Sequence, residues 1–184
     1  MVEIQENYKN YDAPRAALKS AERMVRYTPQ KYLIGLNYIN LTNTDALKRK
    51  YRRQKTKFRK RKISLNHSAG WYVEKWNKQP AYIDLLNDKI FLDYPSWALK
   101  IGFVSDIALS GTFFHELGHH IHKTQAPEHN EMEDVADKWK SRLSRKYFWK
   151  RYWHIMLLIL PLKPLLNWLL KRYDEKSKLT SPSP

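Results

Sequence analysis

The stretch FFHELGHHIH, residues 113–122, concentrates four of the chain's seven histidines and one glutamate into ten positions. On a helix, His115 and His119 are four residues apart, so their rings emerge from one side, a turn apart, at a separation that one tetrahedral ion can bridge. Glu116 points beside the pair, where it could accept a proton from a metal-bound water. This is the physical content of the H-E-x-x-H pattern, whose metal lowers the pKa of its water to about 7. Two imidazoles do not complete a site. The segment NEMEDVAD, residues 130–137, offers Glu133 and Asp137, again four apart and able to share one helical face. Glu133 is therefore the expected third ligand. Asp137 is the expected acceptor from the free ring N–H of a histidine, His115 being the donor. A His, His, Glu set with its fourth position open is the arrangement of a catalytic zinc rather than a structural one. With three ligands assigned, His120 and His122 are read as lying beside the ligands or on the surface, and His67, His129 and His154 as ordinary residues. Gly118, inside the same helix, costs about 1 kcal/mol relative to alanine, which suggests that something packs closely against it.

HELGHH and EDVAD together resemble the gluzincin metallopeptidases, which carry H-E-x-x-H on one helix and E-x-x-x-D on the next. His115, Glu116, His119, Glu133 and Asp137 match that pattern one by one. The short chain looks most like the minimal gluzincins and the related ImmA/IrrE-type metallopeptidases, over roughly residues 12 to 146. The latter more often carry Glu-Ala-Asn at the third ligand, and the interval between His119 and Glu133 is short, which leaves Glu131 and Asp134 as alternative ligands. The resemblance implies one zinc ion and hydrolysis of peptide bonds in a peptide or protein substrate without a covalent intermediate. Zinc would polarise the scissile carbonyl and activate water, while Glu116 takes the water's proton and passes it to the leaving amine. Substrate would lie extended along a sheet edge, for which KIFLDY, residues 89–94, is the candidate strand.

These side chains need elements to position them. DAPRAALKSAERMVRYTP, residues 12–29, reads as a helix capped by Asp12, with Pro14 near its first turn and Pro29 beyond its end. Leu18, Ala21, Met24 and Val25 form its apolar side. YLIGLNYINL, residues 32–41, suits a buried strand. AYIDLLNDKIFLDY, residues 81–94, reads as two apolar runs joined by a hairpin turn at Asn87-Asp88. SDIALSGTFFHELGHHIHK, residues 105–123, has helical spacing, with Phe114, Leu117 and Ile121 facing the core. A further helix, residues 128–153, is acidic early and basic later, the order that the helix dipole favours. The expected fold is α+β: a small, mostly antiparallel sheet, an N-terminal helix, the HExxH helix, a glutamate-bearing helix and a C-terminal hydrophobic helical tail. The expected division is a metallopeptidase domain over residues 1–149 and a tail over 150–184.

Lys and Arg number 34 against 18 Asp and Glu, a formal charge of +16, which draws the molecule toward phosphate-bearing partners. With no cysteine, any metal site must be built from imidazole and carboxylate. The run KRKYRRQKTKFRKRK, residues 48–62, has Lys or Arg at all but four positions and reads as an exposed, mobile loop. Its readings are a solvated loop that raises solubility or an arm for nucleic acid, Tyr51 and Phe58 being able to stack on bases. In the tail, WHIMLLILPLKPLLNWLL is eighteen residues long between basic flanks. Residues 150–172 are thus a candidate contact with an anionic membrane surface, a span or packing on the domain being the alternatives; Lys163 and two prolines oppose a clean span. The N-terminal residues lack the apolar run of a secretory signal, so the expected address is the cytosol, with peripheral membrane attachment left open. The rival to a peptidase is a basic nucleic-acid- or lipid-binding protein whose metal site is not catalytic.

Overall fold

The computed structural model describes residues 2–47, 55–58, 61–64, 68–77, 79–125, 127 and 132–159. Six strands are present among these residues: β1 (Glu3–Asn7), β2 (Leu36–Thr42), β3 (Lys55–Phe58), β4 (Arg61–Ser64), β5 (Gly70–Val73) and β6 (Ala81–Leu86). The helices are α1 (Ala16–Tyr27), α2 (Asn87–Ile90), α3 (Ser96–Leu99), α4 (Gly102–Thr124) and α5 (Met132–Ile159), with a short 3-10 turn over Gln30–Leu33. The α+β class expected from the sequence is present. The sheet, however, is mixed rather than mostly antiparallel. Its order is β1-β2-β6-β5, with β1, β2 and β6 parallel and only β5 antiparallel to its neighbour. A helical crossover is what lets consecutive strands run parallel, and α1 supplies it between β1 and β2. In β6, AYIDLL is buried at every position but Tyr82, as suits an interior strand.

The hairpin expected at Asn87-Asp88 does not form. The chain leaves β6 at Leu86 and turns at once into α2. Buried Asn87 donates its side-chain N–H to the Tyr8 hydroxyl at 2.6 Å, while the Asp88 carboxylate accepts from the Thr44 backbone N–H at 3.1 Å. These tertiary bonds outweigh the local turn preference, and KIFLDY is consequently not a strand. Nor does Asp12 cap α1. Arg15 holds the N-cap position without a side-chain cap, and the Ala17 N–H donates to the Pro14 carbonyl at 2.8 Å. The helix buries Ala17, Ser20, Ala21 and Met24, while Leu18 and Val25 are only half-buried. Part of the basic run is also not loop: β3 and β4 pair antiparallel, Phe58 opposite Arg61, consistent with the β-favouring Thr56, Phe58 and Ile63. The rest of residues 48–62, together with His67, Glu131, His129 and residues 160–184, lies outside the described residues.

The core forms where α4 meets the sheet. Phe114, Leu117 and Ile121 are buried as expected, but so are Leu109, Phe113, Glu116 and His120. The site helix is therefore enclosed around most of its circumference, which fixes its rotation. At its start Asp106 is fully buried, ion-paired with Arg23 of α1 and accepting from the Tyr147 hydroxyl of α5. The Ser20 and Ser105 hydroxyls are bonded at 3.0 Å beside it. One aspartate thus ties the three long helices together, and removing it would strand a largely buried guanidinium.

The chain divides into two compact units, residues 1–147 and residues 148–184. In the second, Tyr152 breaks the helical geometry with φ −121° and ψ 28°. No helix among the described residues is long and apolar enough to cross a membrane.

Candidate metal centre

His115, Glu116 and His119 lie in the well-buried stretch of α4, and Glu133 and Asp137 in the first turns of α5. The structure brings all five together. The His115 Nδ1–H donates to Asp137 Oδ1 at 3.0 Å, which leaves the Nε2 lone pair facing the other ligands. His115 Nε2 lies 3.2 Å from His119 Nε2 and 3.3 Å from Glu133 Oε2, and His119 Nε2 lies 3.7 Å from Glu133 Oε1. A tetrahedron with metal–ligand bonds of about 2.0–2.1 Å has edges of about 3.3 Å, so the three groups already stand close to the spacing of one coordination sphere. Glu133 Oε2 is buried and completes no hydrogen bond among the described residues. A buried carboxylate oxygen 3.3 Å from one imidazole nitrogen, with a second imidazole beside it, fits a cation in their midst. His115, His119 and Glu133 can therefore hold a metal ion. Asp134, the alternative ligand, is exposed and is not one of this group.

The electrostatics agree. Burial, together with the charge of His115, pushes His119 down to about 4, so it is neutral at ordinary pH with its lone pair available. Burial also opposes protonation of His115, but the facing Glu133 carboxylate, with Glu116 and Asp137, outweighs it and raises its pKa. Asp137 also accepts from Lys140 Nζ at 2.7 Å, which pins the carboxylate that orients His115. Asp137→Ala is expected to weaken metal binding about 10- to 100-fold with the fold intact, as measured by competition with a chromophoric chelator.

Gly118 explains how the two helices come so close. A Cβ built there would sit 2.8 Å from the Ala136 carbonyl oxygen and 2.9 Å from Ala136 Cα. The backbone of α5 rests on the glycine, and this places Glu133 and Asp137, which flank Ala136, over the histidines. Gly118→Ala gains helix propensity but must push α5 away, so it should destabilise by about 1–3 kcal/mol. It should also weaken metal binding, although it removes no ligand. Denaturant unfolding and metal titration of the same preparation would check both; undiminished affinity would show that α5 is not set by this contact.

Glu116 is 6% exposed and accepts the backbone N–H of Tyr72 in β5. Burial raises its pKa to about 7, an effect that His115 and the Tyr72 N–H only partly offset. Beside it opens a cleft of about 540 Å³, floored by the histidines and walled by β5 on one side and by Met132 and Glu133 on the other. The strand flanking the site is thus β5, the last in the sheet, and not KIFLDY. It lies tight on α4, since a Cβ at Gly70 would meet Thr112 Cγ2 at 2.7 Å. His120, read from the sequence as a neighbour of the ligands or a surface residue, is a fully buried core residue. It bonds the Ile34 carbonyl at 3.0 Å and the Tyr72 hydroxyl at 3.3 Å, so its Nε2 is the donor and its Nδ1 the acceptor. It thereby anchors β5 to the site helix. His122 is buried as well, whereas His154 is exposed. Tyr72 and β5 were not foreseen; Trp71, Tyr72 and Val73 favour strand, but a four-residue run is too short to declare itself one.

The chain matches no protein-family model, no curated protein and no solved structure.

Proposed function

We propose that the protein is a metal-dependent peptidase of the gluzincin kind, with zinc as its resident ion, hydrolysing peptide bonds in an extended substrate. The reading is carried by one observation: a buried carboxylate that is not a ligand, Glu116, stands beside a three-ligand cluster at the floor of an open cleft. When bound, the ion would polarise a carbonyl and acidify a water. Glu116, its carboxylate steadied by the Tyr72 N–H, takes the proton and returns it to the leaving amine. Burial raises its pKa and a bound cation would lower it again, two opposed effects that keep the group within reach of both taking and releasing a proton. Strand β5 offers main-chain groups along one wall of the cleft, where a substrate can add as a further strand. The Asp137 carboxylate keeps His115 in the tautomer that presents Nε2.

The rival reading, a basic nucleic-acid- or lipid-binding protein with a purely structural metal, gives Glu116 no task. Burying a carboxylate is costly, and a structural site needs no general base. Incubating the zinc-loaded protein with a diverse peptide library and reading cleavage by mass spectrometry tests the proposal. Cleavage that chelator abolishes and zinc restores is the expected result. Intact peptides with stoichiometric zinc bound would favour the rival.

A further inference from the structure

We infer that the helical segment beginning at Phe148 is a docking surface for an anionic membrane, lying along the lipid interface rather than crossing it. Trp149, Trp153 and Leu157 are 44%, 57% and 54% exposed and follow one another at intervals of four. Four-residue steps drift by only about 40° on a helix, so Trp153 and Leu157, which follow the break at Tyr152 in one continuous run, share one stripe; Trp149 precedes the break and is exposed as well. Tyr152 itself is buried, with the Arg151 guanidinium 5.1 Å from its ring centroid, whereas Trp149 and Trp153 are exposed.

The occupant of this stripe is set by composition. Large exposed apolar side chains on a very basic chain are poorly suited to water but well suited to the boundary where headgroups meet acyl chains; tryptophan in particular favours that depth. Lys150 is exposed beside the stripe, and the chain as a whole carries +16, which complements the negative surface of phosphatidylglycerol or phosphatidylserine bilayers. The sequence then continues as LPLKPLLNWLL, residues 160–170, so the chain stays apolar past the exposed stripe. Lys163 and two prolines oppose a clean span of the apolar run, and surface association needs less: a row of apolar side chains a few ångströms deep, backed by positive charge. A second copy of the chain is the competing occupant, and a dimer would gain nothing from anionic lipid. The inference does not depend on the metal site.

The test is co-sedimentation of the full-length protein with phosphatidylcholine vesicles carrying about one third phosphatidylglycerol, and with vesicles of phosphatidylcholine alone. Binding to the anionic vesicles at least tenfold stronger than to the neutral ones, weakened by added salt, is expected. The triple variant Trp149→Ser, Trp153→Ser, Leu157→Ser keeps every charge and should lose at least tenfold of that binding with unchanged circular dichroism. Single Trp153→Ser should lose a smaller part, which keeps the test readable if the triple variant fails to fold. The inference is overturned if folded variants bind as well as the parent, if the parent does not prefer anionic vesicles, or if light scattering finds a dimer that the substitutions dissolve.

Discussion

On the proposed peptidase reading, Glu116→Gln is expected to lower peptide hydrolysis by about 10²- to 10⁴-fold while zinc, the proposed ion, remains bound at one per chain. The asymmetry follows from the geometry. Glu116 does not belong to the ligand cluster, and a glutamine can still accept the Tyr72 N–H, so the substitution removes the proton carrier and little else. The pH behaviour carries a second signature. Burial holds the metal-free carboxyl near 7, and a nearby cation would lower that value, so the acid limb of kcat/KM should fall at or below about pH 7. A carboxyl whose folded pKa is raised stabilises the fold below its ordinary pKa, and that contribution is lost as pH rises through the folded value. The metal-free Gln variant should therefore unfold at a higher temperature than the parent above pH 7, the difference vanishing near pH 4. Thermal scans across that range, beside cleavage assays and elemental analysis, separate these effects. Hydrolysis undiminished in the Gln variant would remove Glu116 from the reaction.

The candidate site was more legible in the sequence than the sheet that flanks it. Spacings of four residues act within a single helix, so His115 with His119, and Glu133 with Asp137, could be paired before any tertiary information. The meeting of the two pairs depends on the approach of α4 and α5 at Gly118 and Ala136, and of that only an odd glycine was visible. Strand direction was illegible, because a short apolar run such as AYIDLL marks burial on both faces, while the connection decides between parallel and antiparallel pairing. At Asn87-Asp88 a good local turn signal lost to bonds with Tyr8 and Thr44, residues about 80 and 40 positions away, as happens when tertiary context overrides propensity. His120 shows the same limit from the other side. Its type and crowding suggested polar surroundings near the ligands, yet its partners are a carbonyl before β2 and a phenol on β5, which no local pattern could supply.

On the same proposed reading, loss of the zinc should be felt as loss of stability as well as activity. At free zinc about 100-fold above its dissociation constant the ion should stabilise the folded chain by about 2.7 kcal/mol, read as a rise in Tm. His119→Ala and Glu133→Ala each remove one of three ligands and should abolish both the rise and the stoichiometric zinc, whereas Glu116→Gln keeps them. The metal-free variants will differ from one another. Glu133→Ala strips His115 of the facing carboxylate that raises its pKa, so that proton is released more easily; His119→Ala leaves the ion pair between His115 and Glu133 in place. Because the His115 proton must leave before the ion can enter, zinc affinity should fall about tenfold for each pH unit below the His115 pKa. The dependence should steepen only near pH 4, where His119 begins to protonate. Calorimetric titrations in buffers of different ionisation enthalpy count the protons released on binding. A count of zero just below the His115 pKa, or a thermal gain from zinc that survives Glu133→Ala, would place the ion somewhere other than between these two helices.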